Sequence, residues 1–156
     1  MILALYLFGE AHSFETKSIN WEYYEPRTEH GSSLSACSYS LIAAQIGRVE
    51  WAYRYFMKTA TIDLAGQGKE YVGTLYIGGT HPAGNGGAWM SAVFGLCGIQ
   101  VSEQGISVEP RLPAHWKQVR LVLSVRGQRL RFTITHTSVS IETSERAETS
   151  LPISIN

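Results

Sequence analysis

A handful of residues in this sequence have chemical reach, and they are grouped. Ser32 and Ser33 stand just ahead of an apolar run, and His81 stands in a glycine-rich stretch five positions before Gly86-Gly87-Ala88-Trp89. Hydroxyls and an imidazole ahead of helix starts, where backbone N–H groups lack intrahelical partners, are materials for an anion site. The same residues have plainer uses: a serine before a helix is commonly its N-cap, and a loop histidine commonly holds backbone. Glu70 is the one carboxylate in the glycine-rich loop, hence the candidate general base if water rather than an anion must be activated. His30 is expected to orient its loop, and Glu25 and Arg27 to pair and hold it. His12, His115 and His136 lack metal-ligand spacing, so no metal site is predicted. Cys37 and Cys97 have no C-x-x-C spacing and read as buried thiols. Gly84-Asn85-Gly86-Gly87 is no dinucleotide fingerprint, because no strand of a βαβ unit is predicted to lead into it.

The elements that must position these residues change character near residue 98. Ile2–Phe8 is apolar nearly all round, which predicts a helix buried on every side, yet no capping residue precedes it. A mixed segment over 14–24 runs to Pro26, which is expected to stop the helix and push Glu25 into an extended conformation. Leu34, Cys37, Leu41 and Ala44 predict a helix capped by Ser32 or Ser33 and closed by Gly47. Val49, Ala52, Tyr53, Phe56 and Ala60 predict a second, antiparallel to it. Residues 66–98 hold ten of the fifteen glycines, read as a functional loop, with helix resuming over 86–94 and with Trp89, like Tyr39, in the core. After Gly98 the period becomes two: Val119, Leu121, Leu123 and Val125 share one face, Gly127-Gln128 is the expected turn, and Leu130, Phe132 and Ile134 repeat the alternation. Further strands are expected over 106–112 and 139–143, and the last dozen residues carry no assignment.

Composition narrows the function classes. Thirteen basic and thirteen acidic residues give no excess for nucleic acid and no acidic tail. The apolar start is too short to span a bilayer and has no basic flank, so no membrane association and a cytoplasmic location are expected.

Three ordered stretches resemble the C-terminal part of glycoside hydrolase family 65, the maltose, kojibiose, nigerose and trehalose phosphorylases and some related hydrolases. Tyr23-Tyr24-Glu25-Pro26-Arg27-Thr28-Glu29-His30-Gly31-Ser32-Ser33-Leu34-Ser35 is similar to one family segment; His81, eight positions before Trp89, is similar to a second; Pro110-Arg111-Leu112-Pro113 with Trp116-Lys117 is similar to a third. The resemblance implies the last helices of an (α/α)6 barrel over 1–98 and an antiparallel β-sandwich over 99–156, a mixed α-then-β chain. It implies an inverting phosphorylase in which inorganic phosphate is the co-substrate, no cofactor is needed and an α-linked disaccharide is the partner. It assigns phosphate contact to Ser32, Ser33, His81 and Gly86. The family's general acid, a glutamate, and a Lys-Gln pair that helps hold phosphate belong to positions upstream of Met1, so the resemblance places no catalytic acid here and implies inactivity of the chain alone. Two other readings remain at this point: a family hydrolase using Glu70 as base, and a non-catalytic carbohydrate-binding or assembly module. Oligomeric state is open, a homodimer being one arrangement.

Overall fold

The computed structural model describes residues 1–64, 79–143 and 151–155, together with the backbone pairing of 70–72 with 75–77. The helical part is built round α3 (Ser35–Gln45), in which every residue from Ala36 to Ala44 is buried. Its alanines and serines allow close approach from several sides at once: α1 (Ile2–Leu7), α2 (Phe14–Tyr24) and α4 (Val49–Ala60) all pack on it. Ser40, wholly buried inside this contact, donates to the Ala52 carbonyl at 2.8 Å, so its hydroxyl is satisfied across the α3–α4 seam. The buried stripe of α4 is Ala52, Tyr55 and Thr59, one step round from the predicted Ala52, Tyr53 and Phe56. Tyr53 and Phe56 turn instead toward Trp116, at ring distances of 5.9 and 5.5 Å.

Several local expectations are corrected. On α1, Ile2 and Leu5 are buried but Leu3, Leu7 and Phe8 are 52–65% exposed, because α3 covers one side only. Proline ends α2 as expected, since its missing N–H breaks the ladder. Glu25 nevertheless stays right-handed (φ −55°, ψ −55°), with its N–H on the Trp21 carbonyl, and Glu25–Arg27 form a short 3-10 turn. Neither serine caps α3 by side chain: the N-cap is Leu34, and Ser32 Oγ accepts from the Leu34 N–H at 3.3 Å within the preceding turn.

The glycine-rich stretch contains an antiparallel hairpin, β1 (Glu70–Val72) with β2 (Leu75–Ile77), where only loop was expected. Helix α5 then runs Pro82–Met90, starting four residues earlier than predicted. Pro82 explains the shift: its fixed φ and absent N–H suit the first helical position. The chain continues through a π turn, Ser91–Leu96, where Cys97 N–H bonds the Ala92 carbonyl at 2.8 Å. Gly86 is therefore interior to α5 and exposed, its N–H committed to the helical ladder. Trp89 is 50% exposed, edge-on to Phe94, and not a core residue.

Neighbouring glycines in α5 have opposite reasons for being there. A β-carbon on Gly86 would meet nothing within 4 Å, whereas one on Gly87 would lie 2.8 Å from Cys37 Cβ and 3.0 Å from its Sγ. Gly86→Ala is expected to stabilise the chain by about 0.5–1 kcal/mol through lost unfolded-state entropy. Gly87→Ala is expected to cost about 1–3 kcal/mol by prising α5 off α3. Denaturant midpoints that move the same way for both variants would contradict this packing.

The last third or so of the chain, from Ile99, is a β-sandwich. One sheet holds β3 (Ile99–Ser102), β4 (Gly105–Val108) and β8 (Ile153–Ile155); the other holds β5 (Val119–Val125), β6 (Gln128–Ile134) and β7 (Val139–Thr143). Inward Ile99, Ile106 and Val108 from one sheet meet Val125, Leu130, Phe132 and Ile134 from the other in a shared core. Pairing is antiparallel except that β8, in the segment left unassigned from sequence, joins β4 parallel. The β5–β6 turn is Arg126-Gly127, not Gly127-Gln128, because Val125 pairs with Gln128. Both turn residues have positive φ, the primed geometry that matches strand twist. Arg126 accepts that strain while its guanidinium donates to the Ser102 and Glu103 carbonyls at 2.9 and 2.7 Å, tying the two sheets together. The predicted strand over 106–112 is shorter, ending at Val108.

Candidate functional site

His81 is the N-cap of α5, and its position is fixed by Asp63, three residues beyond the end of α4. The His81 backbone N–H reaches Asp63 Oδ2 at 2.9 Å and Oδ1 at 3.2 Å, and Nδ1 lies 2.8 Å from Oδ1. Asn85, one turn into α5, donates Nδ2–H to Oδ2 at 2.7 Å. One carboxylate thus gathers three donors from the first turn of the next helix. Those donors hold the Asp63 carboxyl below the ordinary aspartate range, the His81 imidazole being the largest cause. A depressed carboxyl keeps its tether above its unfolded value and loses it only as pH falls through the lowered one. The side chains are 24% and 18% exposed, so the pair is open to a ligand without being bathed in solvent. His81 Nε2 has no hydrogen-bond partner among the described residues.

The loop before α3 meets this pair. A β-carbon on Gly84 would lie 3.4 Å from His81 Cβ and 3.7 Å from the Ser33 carbonyl oxygen, which brings Ser33 and His81 to the same rim. Buried Thr59 Oγ1 donates to the Gly84 carbonyl at 3.2 Å, anchoring α5 to α4 directly beneath. Ser33 is half-buried and its hydroxyl has no partner among the described residues, while Ser32 is exposed and engaged in its turn.

A chain of side chains holds the loop. Tyr55 donates to Glu25 Oε1 at 2.7 Å, so His30 Nε2, 3.0 Å from the same phenol oxygen, is the donor there, and Nδ1 accepts from Ser35 Oγ at 2.9 Å. Burial, followed by Lys58, lowers the His30 pKa, which favours this neutral tautomer although Glu25 opposes the shift. Burial and then the bond to Glu25 push the Tyr55 phenol well above its ordinary range. His30 takes up φ +54°, and its ring packs edge-on to Tyr39 at 4.6 Å. Tyr39 in turn lies 2.6 Å from Thr28 Oγ1. The expected Glu25–Arg27 pair does not form: Glu25 faces Tyr55, and Arg27 donates to the Tyr23 carbonyl at 2.7 Å and stacks on the Tyr23 ring at 4.2 Å.

Of the four residues assigned to phosphate by resemblance, His81 and Ser33 share this rim, and Ser32 is in the adjoining turn. Gly86 is not at a helix N-terminus, because Pro82 has already opened the helix. Its amide therefore offers nothing to an anion. The Glu70 backbone opens β1 opposite Ile77; its side chain lies outside the described residues. Asp63 and Asn85 escaped the sequence reading because neither belongs to a spaced pattern. The available signal was an aspartate just past a helix end, followed by a histidine-proline at the start of the next helix. A groove of about 820 Å³ between α1 and β3, with Leu7, Lys17, Gln45 and Phe94 on its walls, contains none of these residues. Cys37 and Cys97 are free and buried, burial pushing the Cys97 thiol up to about 12. Among the described residues no helix is long and apolar enough to cross a membrane, and no group of three or more His, Cys, Asp or Glu could hold a metal ion.

The chain is 45% identical over 141 residues to the nigerose phosphorylase of Lachnoclostridium phytofermentans, covering 90% of this chain and 19% of that protein. It is 39% identical over 147 residues to the 1,2-alpha-glucosylglycerol phosphorylase of Bacillus selenitireducens, covering 93% of this chain and 19% of that one. A solved structure, a putative kojibiose phosphorylase from human microbiome, superposes with a TM-score of 0.83 at 25% identity, covering 99% of this chain and 22% of the other. The chain thus spans about a fifth of the length of the relatives it matches. Residues 1–90 match the glycosyl hydrolase family 65 central catalytic domain and residues 99–156 the family's C-terminal domain, so the chain belongs to glycosyl hydrolase family 65.

Proposed function

We propose that this chain forms the phosphate-side wall of the active site in an inverting α-glucoside phosphorylase, which moves a glucosyl group from an α-linked disaccharide to inorganic phosphate. Residues 1–98 supply the closing helices and rim of the catalytic domain, and residues 99–156 the sandwich that backs them. A carboxylic acid elsewhere in the enzyme protonates the leaving oxygen while phosphate attacks the anomeric carbon from the opposite face. The role of this chain is to hold the phosphate with the His81 imidazole and the Ser32–Ser33 turn. The observation that carries the reading is that a tethered histidine and the Ser33 backbone meet beside Gly84, with neither His81 Nε2 nor the Ser33 hydroxyl partnered among the described residues. The relatives, each a phosphorylase, support it. Buried free thiols suit a reducing compartment, which supports a cytoplasmic location.

The test is product analysis. Grafted in place of the matching segment of the Lachnoclostridium nigerose phosphorylase, the chain is expected to support formation of glucose phosphate only when phosphate is present. Incubated alone with maltose, kojibiose, nigerose or trehalose and phosphate, it is expected to release none. Free glucose appearing at the same rate with and without phosphate would replace this reading with the hydrolase.

A further inference from the structure

Three donors converge on Asp63, and they constrain the histidine more than an ordinary hydrogen bond does. An ionised carboxylate only accepts, so the nitrogen 2.8 Å from Oδ1 must carry a proton. Neutral imidazole has a single N–H, and placing it on Nδ1 leaves a lone pair on Nε2. Resting on the phosphate reading above, we infer that Asp63 is the positioning residue for His81: it holds the proton on Nδ1 and presents Nε2 as an acceptor for the P–OH hydrogen of hydrogen phosphate. Binding then pairs an anion with a lone pair across its own hydroxyl, which a bare loop histidine, free to carry its proton on either nitrogen, does not guarantee. The backbone contact does a second job. Because the His81 N–H and the Nδ1–H land on one carboxylate, main chain and ring are clamped together, and Asn85 fixes the opposite carboxylate oxygen from one helical turn away.

The arrangement makes Asp63→Asn an informative change. Asparagine offers one oxygen and one NH2. Two donors, the His81 N–H and the Asn85 amide, point at the Oδ2 side, so the amide oxygen belongs there and the NH2 faces His81 Nδ1. A donor facing Nδ1 requires a lone pair on it and drives the proton to Nε2. Asn85→Ala removes a donor without facing the ring, so it leaves the tautomer alone.

The experiment is long-range ¹⁵N–¹H correlation of the histidine rings with the chain grafted into the nigerose phosphorylase as above, followed by titration with inorganic phosphate. The expected result is Nδ1–H for His81 in the original chain and in Asn85→Ala, Nε2–H in Asp63→Asn, and a phosphate-dependent shift of Nε2. Phosphate binding should be about tenfold weaker in Asp63→Asn, the low end of the scale on which groups that orient a metal-binding histidine act. A proton on Nε2 in the original chain, rapid averaging between nitrogens, or an unchanged tautomer in Asp63→Asn would overturn the role given to Asp63. Should Asp63→Asn fail to fold, the original chain and Asn85→Ala still decide the tautomer. Nδ1–H with no response to phosphate would keep the tautomer assignment and overturn the phosphate reading, so the two failures are separable.

Discussion

His81→Ala, in the phosphorylase graft, is expected to weaken the use of phosphate ten- to a hundredfold while glucoside binding stays nearly intact. Losing one hydrogen bond to a charged group costs about 1.5–3 kcal/mol, which is that range of rate or affinity. The substitution is clean because of how the residue is tethered. Two of the contacts from His81 to Asp63 come from its backbone N–H, which alanine retains, and the Asn85 contact is independent of the ring. Helix α5 should therefore keep its start, and Thr59 should keep its grip on Gly84. Steady-state kinetics with phosphate and disaccharide varied separately will separate the effects: a higher phosphate KM or a lower kcat, with the disaccharide KM unmoved. A parallel rise in both KM values would mean that the rim had collapsed rather than lost a ligand. No change at all would remove His81 from the phosphate site.

How much of this was legible in the sequence depended on whether each signal was local. The alternation over 119–134 gave the faces of β5 and β6 correctly, because a strand's period is set by its own pleat. Glycine alone points to a turn one residue too late, because Arg126 also takes positive φ. Arg126 takes positive φ only by virtue of carbonyls more than twenty residues away. The start of α5 is hidden for a similar reason: Gly86-Gly87 looks like an approach to a ligand, whereas Gly87 is small to admit Cys37, a contact that no spacing encodes. Helical spacing puts Trp89 in the core, yet the face it occupies is uncovered in this chain. The site divided along the same line. His81 and Ser33 were visible as residue types ahead of helices, but Asp63 acquires its meaning only when the end of α4 meets the beginning of α5.

The seam between helices and sandwich gives the last expected result: Gly98→Ala should destabilise the chain by roughly 2–5 kcal/mol. Two costs combine. Gly98 has φ +63°, which costs an L-residue about 1–2 kcal/mol. A β-carbon there would also lie 1.8 Å from the Glu109 carbonyl oxygen and 2.4 Å from its carbon, both backbone atoms with no rotamer to escape into. The strain of such overpacking adds about 1–3 kcal/mol. Relief by backbone movement is blocked from both sides: Cys97 and Ile99 are buried, Glu109 N–H bonds the Gly98 carbonyl at 3.0 Å, and Arg111 N–H bonds the Leu96 carbonyl at 2.8 Å. Gly47 is the control, with φ +74° and nothing within 4 Å of an added β-carbon, so Gly47→Ala should pay only the conformational cost. Asparagine distinguishes the two causes, because it tolerates left-handed backbone but still carries a β-carbon. Gly47→Asn should be nearly neutral, whereas Gly98→Asn should keep the overpacking cost. For a chain of this length a loss of 3 kcal/mol or more lowers Tm by about 10 °C. Equal melting temperatures for Gly98→Ala and Gly47→Ala would show that the Gly98–Glu109 contact yields freely, and that the helices and the sandwich are not locked at this point.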